Sequence, residues 1–245
     1  MSRMDKYKKT KRKGNSLLTF VGVLLILAAL ALLAINPIKD YLIDQGTKEN
    51  AIANMTRNQI ESNQQKDVTF DFDDVSNLNA YDVIKNNVNP KDLPTIGAIA
   101  IPNVKMNLPI YKGVSDAGMY LGAGTLRPDV KMGNDNYAIA SHHTLKKGYL
   151  FEPLLRVKNG DLIYLTDLDS VYVYKVFYKE VLDPTRVDVI DPTSDPIVTL
   201  VTCATGENNF QRLVVQGSLV EKVAIKDANK DMIKAFDLKQ NNVAN

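Results

Sequence analysis

Hydrophobic and polar positions divide the 245-residue chain into stretches of different texture. Residues 17–35 form an uncharged run of nineteen, nearly all Leu, Ile, Val or Ala. That length suffices for a helix to cross a bilayer core, and Asn36-Pro37 predicts where the helix ends. Residues 36–89 turn polar, rich in Asn, Gln, Asp and Lys. There Ile43, Ile52, Met55 and Ile60 are too sparse for a sustained amphipathic face, so the expectation is a short helix loosening into a stalk. Val68 to Phe72 alternates like a strand, and Tyr81 to Val88 suits a short helix. The competing reading of the stalk packs Phe70 and Phe72 onto the domain that follows.

Between residues 90 and 225 the pattern changes to short apolar runs bounded by Pro, Gly and Asn. Thr95–Ile101 and Leu108–Lys112 read as a strand pair, and Tyr137–Ser141, Asp161–Thr166, Val171–Leu182, Ile197–Ala204 and Arg212–Ile225 as further strands. Asp116–Leu126 suggests a short helix leading into a turn, and Gly148–Val157 a helical face built on Leu150, Phe151, Leu154 and Leu155. Seven or eight strands with short helical interruptions predict an all-β, closed or nearly closed barrel of about 130 residues. Residues 226–245 read as a frayed polar tail.

Charge refines the first segment. Residues 1–16 hold seven Lys or Arg against Asp5 alone, whereas the whole chain has 30 basic and 28 acidic residues. The basic excess is therefore a local tail, and the remainder is slightly acidic. A nucleic-acid-binding reading of the tail loses its ground once the apolar run follows it. Only Lys39 and Lys48 follow the run within fifteen residues, so the tail is expected in the cytoplasm and the rest outside. A cleaved signal peptide is the alternative. Its Ala29-Leu30-Ala31 triplet lies inside the run, however, and the run exceeds the usual apolar core of a signal.

The candidate chemistry lies at strand ends. Cys203 is the one cysteine of the chain, so it cannot form an intramolecular disulfide; it is either inert packing or chemistry. The two histidines, His142 and His143, are adjacent at the end of a predicted strand, and Arg212 opens the next one after Cys203. A thiol, an imidazole and a guanidinium suffice for covalent acyl transfer: nucleophile, proton carrier and stabiliser of developing charge. Adjacent strand residues point to opposite faces, so only one histidine can face Cys203. The amide of Ala204 is a further candidate donor to an oxyanion. One cysteine and two adjacent histidines make no zinc signature.

Thr199-Leu200-Val201-Thr202-Cys203 resembles the TLxTC signature of the sortases, cysteine transpeptidases of Gram-positive bacteria. Ala140-Ser141-His142 is similar to their histidine segment, and Arg212 falls where their arginine follows the cysteine. The resemblance covers roughly Leu93 to Val223. It implies an eight-stranded barrel over residues 90–225, with Cys203, His142 and Arg212 catalytic and His143 peripheral. The implied substrate is a Leu-Pro-x-Thr-Gly sorting signal on a surface protein, cleaved between Thr and Gly. The implied acceptor is the amine of a lipid-linked cell-wall precursor. The Leu-Pro slot would be lined by Ala140, Thr199, Val201, Val187, Val189 and Ile190. Neither a second apolar span nor a lid with an Asp-Pro-aromatic motif is found, which points to class A, with no cofactor expected. Some class A members are stimulated by calcium, but the corresponding stretch here, Gly122–Asn136, offers only Asp129 and Asp135, interleaved with Arg127 and Lys131, so no calcium stimulation is expected. A tethered cysteine hydrolase and an inactive surface barrel are the alternatives.

Overall fold

The computed structural model describes residues 16–71, 89–205 and 211–237. Runs of Ile, Val, Leu and Tyr make eight strands: β1 (Thr95–Ile101), β2 (Met106–Tyr111), β3 (Ala123–Thr125), β4 (Asn136–Ala140), β5 (Leu162–Thr166), β6 (Ser170–Leu182), β7 (Ile197–Cys203) and β8 (Arg212–Ala224). They close into a barrel in the order β1-β2-β3-β4-β7-β8-β6-β5. The pairs β2–β3 and β4–β7 are parallel; the other neighbours are antiparallel. Parallel neighbours need a crossover, and helix α3 (Asp116–Leu121) provides it between β2 and β3. Inward-facing Ile99, Ile110, Ile139, Ile163, Leu200 and Val215 fill the interior.

Strand β3 was not expected. Its three residues, Ala-Gly-Thr, carry no β pattern. A Cβ on Gly124 would lie 2.5 Å from the carbonyl oxygen of Gly113, so the close approach there requires glycine. The helical face expected over Gly148–Val157 shrinks to one 3-10 segment, Glu152–Arg156; Phe151 and Leu154 are buried while Leu155 is exposed.

The chain ends differ most from expectation. Helix α1 spans Ser16–Glu49 and runs through Pro37 rather than ending there. An interior proline removes one hydrogen bond. Beyond it the helix is anchored: Ile43 is buried, the Thr47 hydroxyl donates to the Leu121 carbonyl (2.8 Å), and the Asn50 amide donates to the Pro90 carbonyl (2.7 Å). Positions 43, 46, 47 and 50 share one helical face, and it is the face turned to α3.

The expected stalk is likewise cladding on the barrel. Thr56 caps helix α2 (Arg57–Gln64) through a reciprocal capping box with Gln59. Ile52 and Ile60 are buried in a second apolar cluster with Ala98, Ala100, Val171 and Val173. Met232 of helix α4 (Lys230–Ala235) and Phe236 at its C-terminal cap complete that cluster, inside the segment expected to fray. Val68–Asp71 is not a strand; the Thr69 carbonyl accepts from the Val114 amide at 3.0 Å. Phe72 and Tyr81–Val88 lie outside the described residues.

Candidate active site

Strand β7 sits between β4 and β8, and its register sets the site. Ala140 pairs with Val201, and Cys203 pairs with Arg212, so the three strands bring their functional ends to one barrel rim. Beyond β4 the chain is pinned at Ser141. Its amide donates to the Val201 carbonyl (3.2 Å), its hydroxyl to the Gly122 carbonyl (2.6 Å), and its own carbonyl accepts from the Thr202 hydroxyl (2.8 Å). These bonds fix where the two histidines begin.

The histidines are then used differently. His143 Nδ1 lies 2.8 Å from the Cys203 carbonyl oxygen. A carbonyl only accepts, so Nδ1 carries the proton and the ring braces the backbone at Cys203. His142 stacks on Tyr120, with ring centroids 5.4 Å apart and planes 23° apart. Its Nε2 is shielded from solvent and has no hydrogen-bond partner. Burial pushes its pKa down to about 4, against a smaller upward pull from Asp116. At neutral pH this imidazole is uncharged and able to accept a proton.

Cys203 is half-buried with a free thiol. The Arg212 guanidinium approaches it, with Nη1 3.7 Å from Sγ. That cation lies where an oxyanion on an attached carbonyl would develop. The Ala204 amide, expected as a second oxyanion donor, is already committed to the Gln211 carbonyl at 3.0 Å. The β7–β8 ladder continues one step past the Cys203–Arg212 pair and takes that donor.

Beside this rim lies a groove of about 280 Å³, lined by Leu126, Val187, Val189, Ile190, Val201 and Val214 together with Arg212. Larger hollows of about 460–500 Å³ among the described residues border none of Cys203, His142 and Arg212. Val187, Val189 and Ile190 form a 3-10 turn, and Val187 is 68 % exposed. Two residues expected to line the slot do not. Ala140 is buried beneath it, in an apolar cluster against which Ile190 and Val201 pack. Thr199 is fully buried; its hydroxyl donates to Asn136 Oδ1 (2.6 Å) and accepts from Gln216 Nε2 (3.1 Å).

That network exposes residues which sequence reasoning passed over. Asn136 Nδ2 donates to the carbonyls of Val189 and Asp191, both at 2.9 Å. Arg127 Nη1 donates to the Ile190 carbonyl at 2.7 Å. Three backbone carbonyls of the slot wall are thus held by two barrel side chains. Arg127 also pairs with Asp129 (3.1 Å) and Asp135 (2.8 Å), the two carboxylates of the segment considered for calcium. Among the described residues no group of three or more His, Cys, Asp or Glu side chains gathers as metal ligands would.

A sortase-domain family model matches residues 99–220. Sortase A of Listeria monocytogenes is 36% identical over 212 residues, covering 86% of this chain and 96% of that protein. Sortase A of Streptococcus agalactiae is 34% identical over 245 residues, covering 96% and 99% respectively. The solved Listeria monocytogenes sortase A structure superposes with a TM-score of 0.56 at 40% identity, covering 59% of this chain and 99% of that one.

Proposed function

This chain belongs to the sortase family of cysteine transpeptidases, and from that membership we propose that Cys203, His142 and Arg212 carry the reaction on a Leu-Pro-x-Thr-Gly sorting signal. The observation behind the assignment is the register that faces Cys203 with Arg212, Nη1 3.7 Å from Sγ.

His142 takes the thiol proton as Cys203 Sγ attacks the Thr carbonyl carbon. The oxyanion that forms is met by the Arg212 guanidinium. The Thr–Gly C–N bond breaks, the imidazolium returns the proton to the leaving amine, and a thioester remains. The incoming amine attacks that thioester, His142 takes its proton, and the thiolate leaves to be reprotonated, forming a new amide. The Leu-Pro portion of the signal occupies the groove of Val187, Val189, Ile190 and Val201, whose apolar lining suits it and whose neighbour is Arg212. His143 holds the Cys203 backbone and takes no proton. No metal enters the scheme.

The uncharged helix segment at residues 17–35 is long and apolar enough to cross a bilayer and suggests a membrane anchor. The basic residues ahead of it argue for a cytoplasmic N-terminus and an external barrel. There the acyl acceptor is the amine of a lipid-linked cell-wall precursor. Protease added to intact wall-stripped cells then digests the barrel and spares the basic tail; a protected barrel overturns the orientation.

The activity test is mass spectrometry of the full chain in detergent with a Leu-Pro-x-Thr-Gly peptide and a small amine. The proposal expects a Cys203 adduct ending at Thr and an amide product carrying the added amine. A carboxylic acid as the main product even at high amine makes the protein a hydrolase, and no adduct makes the barrel inert.

A further inference from the structure

The loop Thr144–Tyr149, which follows the histidine pair, carries side chains with no role in the chemistry above. Leu145 is 76 % exposed, the highest of the large apolar side chains among the described residues. Lys146 and Lys147 are exposed beside it. The loop is tied to the anchor helix: Lys146 Nζ lies 3.1 Å from Asp40 Oδ2. The same ammonium sits 4.2 Å from the centroid of the Tyr149 ring.

Asp40 lies five residues beyond Ile35, the last of the apolar run. At about 1.5 Å per residue along a continuous helix, that is roughly 7.5 Å. The polar layer on each side of a bilayer core is about 5–8 Å thick. The ion pair therefore holds the loop at headgroup depth, on the side of the bilayer where the barrel lies. Ile38, Tyr41 and Leu42 on the adjoining turn of α1 are also exposed, while the face at 43, 46, 47 and 50 docks on the barrel. Apolar, aromatic and basic side chains at one level are what an interfacial segment presents to lipid.

We propose that Thr144–Tyr149 docks on the bilayer surface beside the exit of α1, with Leu145 entering the interface and Lys146 and Lys147 meeting anionic lipid headgroups. The inference rests on the reading of α1 as a membrane anchor. It gives the catalytic rim a fixed side toward the membrane, because the loop begins directly after His143. A substrate attached to lipid then reaches the rim without leaving the surface.

The chain contains no tryptophan, so one introduced indole is an unmixed reporter. Full-length Leu145→Trp, Leu25→Trp and Val220→Trp are placed separately in vesicles of phosphatidylcholine and phosphatidylglycerol, with and without lipids brominated along the acyl chain. Leu25 lies within the span, and Val220 is an exposed residue of β8. The expected result is blue-shifted emission and strong quenching by shallow bromines for Leu145→Trp, strong quenching by deep bromines for Leu25→Trp, and neither for Val220→Trp. Quenching of Leu25→Trp without quenching of Leu145→Trp overturns the docking and leaves the anchor standing. Absence of quenching at both overturns the anchor itself. A blue shift of Leu145→Trp that appears equally in detergent and grows with protein concentration assigns the loop to contact between copies, and also overturns the proposal. Adding Lys146→Gln and Lys147→Gln to Leu145→Trp is expected to reduce the quenching in anionic vesicles.

Discussion

The barrel rim that carries Cys203 and the barrel face clad by α2 and α4 are built on opposite principles. At the rim, His142 keeps a shielded ring nitrogen without a partner, Cys203 keeps a free thiol, and the slot wall is held by its carbonyls rather than by its side chains. On the clad face, Ile52 and Ile60 from one end and Met232 and Phe236 from the other interlock over Ala98, Val171 and Val173. Reactivity needs groups whose best partner is the substrate; cohesion needs apolar surface withdrawn from water. Substitutions in the two regions should accordingly separate activity from stability.

The widest separation is expected at Arg212. Arg212→Lys keeps the charge but loses the planar fork. Turnover should fall by about 10²–10³, as for loss of one oxyanion donor, with the melting temperature nearly unchanged. A lysine variant as active as the parent reduces Arg212 to a local charge. On the clad face the signs reverse. Phe236→Ala should lower stability by about 3–5 kcal/mol while the rate per folded molecule is preserved, checked by denaturant unfolding beside peptide cleavage. A fragment starting at Asp67 lacks Ile43, Ile52 and Ile60 and should unfold at lower denaturant than one starting at Ile38; equal midpoints remove the cladding from the account.

A smaller effect links the regions through pH. The folded protein holds His142 protonated only near pH 4, whereas the unfolded chain takes up that proton near 6.5. Stability is therefore level above about 6.5 and falls as pH drops toward 4, by on the order of 1–3 kcal/mol. In His142→Gln this part of the acid slope should vanish in unfolding curves measured across that window. The smallest effect is expected from calcium. Arg127 already engages Asp129 and Asp135, so cleavage rates in chelator and in millimolar calcium should be nearly equal. Strong stimulation would place ligands elsewhere, with Asp183, Asp188 and Asp191 of the loop before β7 as the alternatives.

The rim was readable along the chain because its parts sit at the ends of long apolar runs. Val198, Leu200, Leu213 and Val215 declare two strands by composition, and the strand ends carry Cys203 and Arg212 with them. What escaped depends on contacts between distant residues. Pro37 is a helix breaker by its own chemistry, and only the docking of Ile43 and Thr47 beyond it explains the continuation. Ile52, Ile60, Met232 and Phe236 look sparse in two polar segments because each segment supplies half a cluster. Thr199 alternates correctly for a lining residue, yet the Asn136–Gln216 network buries it. The Ala204 amide was lost to one further rung of the β7–β8 ladder.

The division of labour between the adjacent histidines is the centre of the account, since one ring braces the Cys203 carbonyl and the other keeps a nitrogen in reserve. Single-turnover acylation of Cys203, followed by mass spectrometry in His142→Ala and His143→Ala, tests it most directly. The account predicts no adduct in the His142 variant and a slower but complete adduct in the His143 variant, both with parental circular dichroism. A dead His143 variant beside an active His142 variant would contradict it.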